Sequence, residues 1–378
     1  MVEQTNPLRH VRLVLQPRWM STESYSLVLL VISSSLYSVM ACFVKLAVVS
    51  GIPSTEQVFL RALFQGFLVV VAMFWFEDPN IEDHFRNDRL IKRPFGSKTV
   101  RFVVIARGIV GGLGFCLYYY TISLLPLGDA VTILSLSPVV TIVAAALFLK
   151  ETIRYSHIFA TLASLVGSIL LAKPSFLFGD DKEEDDNTSS KTGYVTAFMG
   201  ACCGATVYIL IRRAGKAGVH TLQLLFSWST FGVLYSFSFL MLPVMIGGDN
   251  PFVFPTTSHA WWYLLGVCVF GCSAHFLLNY AARHAPAGLA SIIRSSGIMW
   301  SYLLEILVFH QVPHQLTVLG VSLIVLSLLT IAVEKHYSDQ NTRRTNAEEE
   351  DEDLENIPLT THNPRFGSTY GSTSKVSK

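Results

Sequence analysis

The chain has 378 residues, of which 51% are hydrophobic and only 15% charged, with a formal net charge of +1. A soluble domain carries nearer a quarter charged residues, so an ordinary soluble fold is excluded. The near-neutral balance says little about partners, and no nucleic acid is expected.

The apolar residues fall in ten runs: 24–49, 55–76, 101–123, 128–149, 155–173, 193–212, 221–246, 260–282, 286–309 and 315–333. About 20 residues suffice for a helix to cross a hydrocarbon core of about 30 Å. The runs are continuously apolar, whereas barrel strands alternate, so helices are favoured. The expected fold class is an all-α polytopic membrane protein with ten transmembrane helices.

The N-terminal arm, residues 1–23, carries Arg9, Arg12 and Arg18. The run after it is too long for a signal-peptide core and reads as an uncleaved first span. Lys45 lies late in that span and Glu56 and Arg61 early in the second, with Lys45 and Glu56 placed to pair at adjoining ends. The third span carries Arg107 beside Gly108 and Gly112, a spacing of small residues that lets helices approach in lipid. Gly200 and Gly204 repeat it in the sixth.

LPLGDAVTILSLSP, residues 125–138, then puts two prolines, a glycine and an acid at and inside the fourth span. Pro126 stands at a helix start, where a missing N–H costs little, and Asp129 complements the dipole there. Pro138 falls well inside the span and marks a helix break. Lys150 and Glu151 close the span as an interface cap.

Residues 174–192 form an acidic linker, with FGDDKEEDDNTSSKTG at 178–193, too polar to pack. It contains the sequon Asn187-Thr188-Ser189, readable as an N-glycosylation acceptor or as a chance match. Beyond it, Cys272, His275, Asn279 and Arg283 form a polar stripe at helical spacing on the eighth span, the pattern of a helix facing a bundle interior.

The ninth span opens with APAGLASIIRSSGI, residues 285–298, in which Pro286, Gly288, Ala290, Ile293 and Ser295 match Pro126, Gly128, Ala130, Ile133 and Ser135. At this offset Tyr119 is equivalent to Asn279, and Gly297 lies beside the equivalent of Pro138, as a second helix break or gate. Arg294 sits about eight residues from the span's inner end, a depth of roughly 12 Å. A charge near the bilayer centre costs about 2.5–3.5 kcal/mol even on a lenient scale, so Arg294 needs a partner. Residues 334–378, which include EEEDEDLENIPL, read as a disordered tail.

Two halves of five spans enter the membrane from opposite faces, so the duplication describes an inverted repeat, an architecture that places ligands near the midplane between its halves. Alternate loops hold fifteen basic residues on one side against three on the other, which puts both termini in the cytoplasm. All six cysteines fall within spans and read as packing residues, and no metal-ligand spacing is present.

These ten spans, with VFLRALF at 58–64, RGIVGGLGFCLYYYTISLLPLGDAVTILSLSPVVTIVAAALFLKE at 107–151 and LLAKPSFLFG at 170–179, resemble the drug/metabolite transporter superfamily of EamA type. The chain is most similar to subfamily G of solute carrier family 35, with one five-helix repeat over 24–173 and another over 193–333. The resemblance implies secondary transport of small organic solutes without ATP. More distant relatives hold nucleotide sugars or phosphorylated sugars against basic side chains, which suits Arg294 and Arg107.

The leading expectation is a secondary active or exchange transporter of a small organic anion, a carboxylate or phosphorylated metabolite, working by alternating access. Arg294, Arg107 and Arg61 would supply charge, and His275, Asn279 and Tyr119 would orient the ligand. His275 reads as a satisfied neutral histidine or as the carrier of a coupling proton; a counter-substrate is the other coupling partner. Two readings stay open beside this one: a neutral or amphiphilic cargo with structural arginines, and a non-transporting scaffold or sensor acting through its tails. No cofactor, metal or enzymatic activity is expected, since no metal cluster or nucleophile–base pair is recognisable.

Overall fold

Ser21 starts the first helix: its hydroxyl accepts from the Ser24 amide at 3.2 Å, and Glu23 stands in the first turn, where a carboxylate complements the dipole. The computed structural model describes residues 21–75, 90–125, 127–173, 177, 187–245, 252–255, 257–309 and 315–355. Among them the helices are α1 (Thr22–Val49), α2 (Ser54–Trp75), α3 (Arg101–Leu124), α4 (Leu127–Leu134), α5 (Ser137–Ala144), α6 (Tyr155–Ala172), α7 (Asn187–Lys216), α8 (Thr221–Met245), α9 (Ser258–His284), α10 (Ala287–Phe309) and α11 (Gln315–Glu355).

Among the described residues nine stretches are long and apolar enough to cross a membrane, one of them running through α4 and α5. The remaining span, ninth in chain order, is α10, whose 23 residues reach roughly 35 Å at helical rise. The ten spans expected from the sequence are all present as helices.

The fourth span is broken where proline requires it. Pro138 lacks an N–H, and its ring would strike the carbonyl four residues earlier, that of Leu134. Helix α4 ends at Leu134, Ser135 and Leu136 turn, and α5 restarts with Pro138 in its first turn. The span then ends in a π-helical turn, Ala145–Leu149, closed by Lys150 in the left-handed conformation at φ 55°.

Helix α1 packs on α9 as α7 packs on α3, and α1 on α10 as α7 on α4 and α5, while α2 and α8 pack on each other. These are the pairings that a two-fold relation between inverted repeats demands. Small residues make the contacts close. Ser33 donates to the Ala274 carbonyl at 2.7 Å and Ser38 to the Gly297 carbonyl at 2.8 Å, tying α1 to α9 and α10. A methyl at Gly108 would lie 2.7 Å from the Ser227 carbonyl oxygen, so only glycine lets α3 and α8 approach this far.

Three expectations differ from what is seen. Lys45 and Glu56 do not pair; the Glu56 carboxylate accepts the Val253 amide at 2.9 Å. Helix α7 begins at Asn187, inside the expected linker. Helix α11 runs to Glu355, past the boundary at 333. A helix already nucleated by its apolar part needs only to propagate, and the charged stretch beyond is rich in good helix formers. Residues from Lys335 belong to a second compact unit, separate from the one ending at Glu334.

Candidate functional site

The polar stripe of α9 turns inward and meets α3. His275 and Asn279 are 4% and 0% exposed, and Arg107 opposite them is 1% exposed. Arg107 Nη2 lies 3.1 Å from His275 Nε2 and 3.1 Å from Asn279 Oδ1. Asn279 donates through Nδ2 to the His275 carbonyl at 2.8 Å, which fixes its oxygen toward the guanidinium. The far ring nitrogen, His275 Nδ1, lies 3.0 Å from Gln65 Oε1 on α2. A guanidinium only donates, so His275 Nε2 accepts, and the ring is neutral with its proton on Nδ1. Trp228 of α8 packs edge to face against the ring at 4.5 Å.

Arg61 lies one helical turn from Gln65 on the same buried face of α2. Its guanidinium is 5.3 Å from the Trp228 ring centroid, 5.6 Å from that of Phe115 and 5.7 Å from that of Tyr37. One long contact, 3.4 Å, reaches the Gly271 carbonyl. Gly271 makes room for it, since a methyl there would lie 2.6 Å from Arg61 Nε. Arg294 of α10, half-buried, stacks 4.3 Å from the same Tyr37 ring.

Among the described residues none of these three arginines touches a carboxylate. Buried cations of this kind ordinarily have one, because an unpaired buried charge is strongly destabilising. Arg107 Nε and Nη1 and Arg61 Nε have no hydrogen-bond partner among those residues. Three positive groups thus lie in the interior, two of them, Arg61 and Arg294, over the Tyr37 ring within cation–π reach.

Toward one end of the bundle the halves are bridged. Glu151, following the π-helical turn, pairs with Arg212 Nε of α7 at 3.2 Å and accepts the Ala287 amide at the start of α10 at 3.0 Å. Arg212 also donates to the Arg283 carbonyl at 3.0 Å, and Arg283 to Thr221 Oγ1 at 2.7 Å. The cap expected at Glu151 is thus a link between repeats.

Of the residues singled out in the sequence, Arg107, His275 and Asn279 are directly bonded, and Arg61 and Arg294 share the Tyr37 ring. The side chains of Tyr119 and Asn187 lie outside the described residues. Pro138 breaks its helix. Gly297 does not: α10 is continuous, because glycine keeps its N–H and Ile298 stands where the first repeat has proline. A methyl at Gly297 would lie 2.5 Å from Arg294 Nη1, so this glycine clears the path of the guanidinium.

Sequence reasoning missed Gln65, Tyr37, Phe115 and Trp228. A signal for Gln65 existed: Gln57, Arg61 and Gln65 repeat every four residues and are at most 2% exposed, a stripe like that of α9. Aromatic residues in an apolar span carry no such mark. Among the described residues no three His, Cys, Asp or Glu side chains are grouped as metal ligands would be.

The human protein solute carrier family 35 member G1 is 26% identical over 308 residues, 81% of this chain and 78% of its own length. The pseudopaline exporter CntI of Pseudomonas aeruginosa is 27% identical over 311 residues, 81% of this chain and 95% of its own. A solved crystal structure, 17% identical, superposes with a TM-score of 0.62 over 82% of this chain and 97% of its own, which speaks to the fold alone. The model of the EamA-like transporter family matches residues 24–173 and 191–333. With both repeats covered and relatives that are transporters by name, the chain is a membrane transporter of small solutes and belongs to the EamA-like transporter family.

Proposed function

We propose that the protein moves a small organic anion, a carboxylate or phosphorylated metabolite, by alternating access between its two repeats. The observation that carries this reading is the set of three interior arginines, Arg61, Arg107 and Arg294, with no carboxylate on any of them among the described residues. Arg294, the one partly open to solvent, makes the first contact; Arg107 adds its unpartnered N–H groups as the site closes. The bridge from Glu151 to Arg212 and Ala287 supports alternating access, since it would have to part for a path between the halves to open at that end. The excess of basic residues in the loops there supports a cytoplasmic orientation of that face and of both termini. With both ring nitrogens of His275 bonded, exchange against a counter-substrate accounts for coupling better than a proton on this residue.

Counterflow in reconstituted vesicles, screened with carboxylates, sugar phosphates and nucleotide sugars, identifies the cargo. Arg294→Gln abolishes anion uptake while the protein remains inserted; full uptake by that variant removes the residue from the site. One observation favours a second reading: Arg61 is enclosed by three rings and bonded to a backbone carbonyl, as a structural cation would be. Under that reading a neutral or amphiphilic solute is carried, and transport across a solute panel does not follow charge.

A further inference from the structure

Gln65 occupies no place in the transport reading so far, yet it is bonded to the histidine that meets the central arginine. It is 2% exposed on α2, and its Oε1 is 3.0 Å from His275 Nδ1. We propose that Gln65 is a positioning residue for anion recognition, acting through His275 to present Arg107; this rests on the reading of Arg107 as a ligand contact.

Guanidinium has five N–H groups and no acceptor. The two on Nη2 are taken by His275 Nε2 and Asn279 Oδ1, each at 3.1 Å. The three on Nε and Nη1 have no partner among the described residues. This division holds only while His275 offers Nε2 as an acceptor, which puts the ring proton on Nδ1, and a buried Nδ1–H needs an acceptor of its own. Gln65 Oε1 supplies it. Were the amide turned over, its NH2 would face Nδ1, the proton would move to Nε2, and two donors would confront each other at Arg107. Without an acceptor at 65 the ring turns to satisfy Nδ1–H elsewhere and Nη2 is released. Trp228 against the ring face limits how far it can turn and still meet Arg107.

One substitution tests the relay: Gln65→Met keeps the volume and removes the acceptor without adding a charge beside Arg61 and Arg107. In reconstituted vesicles it raises the apparent KM for the transported anion about tenfold, more than the maximal rate falls. A role in packing alone predicts little change, because methionine fills the same space in an apolar interior. Gln65→Met with wild-type KM overturns the proposal.

The tautomer itself is read without any cargo, from 15N spectra of the histidine-labelled full chain in micelles, with the His275 signals assigned by subtracting the His275→Gln spectrum. The expected result is a ring protonated at Nδ1, with that resonance displaced in Gln65→Met. A ring protonated at Nε2, or a resonance indifferent to Gln65→Met, overturns the proposal even where anion transport is confirmed. The expected spectra with no anion carried would instead overturn the transport reading and leave the relay standing.

Discussion

Replacing Glu151 by alanine removes both links that its carboxylate makes between the repeats. The Ala287 amide at the start of α10 loses an acceptor, and loss of a helix cap costs about 1 kcal/mol. The ion pair to Arg212 is harder to weigh. Its side chains are 17% and 15% exposed, between the exposed pairs worth about 0.2–1 kcal/mol and the buried ones that cost about 3–5 kcal/mol to break. About 2 kcal/mol is a fair middle value. Together these disfavour the bridged arrangement by about 3 kcal/mol, roughly a hundredfold in its population relative to one parted at this end. Ala285, in the turn pinned by the bridge, is fully buried, so Ala285→Cys reports on parting. In membranes exposing that face, a charged maleimide reacts with this cysteine at least tenfold faster when Glu151→Ala is also present. Arg212→Ala accelerates labelling too, and the double replacement adds little, because both remove one coupled interaction. Unchanged labelling in Glu151→Ala would refute the view that these residues hold the end shut.

Tyr37→Leu removes the ring shared by Arg61 and Arg294, two cation–π contacts of about 0.5–2 kcal/mol each; anion uptake kinetics show the KM rising at least several-fold. Gly271→Ala, whose methyl would lie 2.6 Å from Arg61 Nε, costs about 1–3 kcal/mol by overpacking and lowers the thermal midpoint in detergent. Lys173 caps α6 at φ 45°, and Lys173→Gly relieves about 1 kcal/mol of left-handed strain, raising that midpoint. His220, in the turn before α8, accepts the Leu222 amide at Nδ1, and burial together with Arg283 lowers its pKa to about 4. The unfolded chain takes up this proton near pH 6.5 and the folded one only near 4, so stability is full above about 6.5 and falls as pH drops through that window. His220→Asn keeps a capping acceptor without the titration and flattens the midpoint over this range.

Much of the membrane architecture could be read from the chain because its causes are local. Twenty apolar residues make a span wherever they occur, and Pro138 breaks its helix through its own ring and missing N–H. The stripe of His275 and Asn279 was legible for the same reason, as a periodicity within one helix. What could not be read is which helix it faces: Arg107 is 168 residues from His275, and nothing local to either selects the other. Glu151 and Ala287 are separated in the same way, so a carboxylate legible as a local cap is in fact a contact between repeats. Gly297 shows the opposite failure. Position in the repeat suggested a second break, but the break depends on proline chemistry, which the second half lacks.

The interior charges also decide what kind of motion would be useful. The guanidinium carbons of Arg61 and Arg294 lie 5.7 and 4.3 Å from one Tyr37 centroid and are therefore at most 10.0 Å apart. At an effective dielectric of about 20, two unit charges 10 Å apart repel by about 1.7 kcal/mol. Arg61 belongs to the first repeat and Arg294 to the second, so this repulsion opposes their approach when the site is empty. A single anion at the edge of the ring, about 7 Å from each, is attracted by about 2.4 kcal/mol per pair on the same scale, and the sign of the force between the halves reverses. Only the part of that attraction that differs between open and closed arrangements moves the equilibrium, and a swing from 1:99 to 99:1 needs about 5.5 kcal/mol. A neutral solute supplies none of it. Closure driven by the cargo therefore follows cargo charge, and on the proposed reading a shape-matched neutral analogue that binds the aromatic faces occupies the site without being carried.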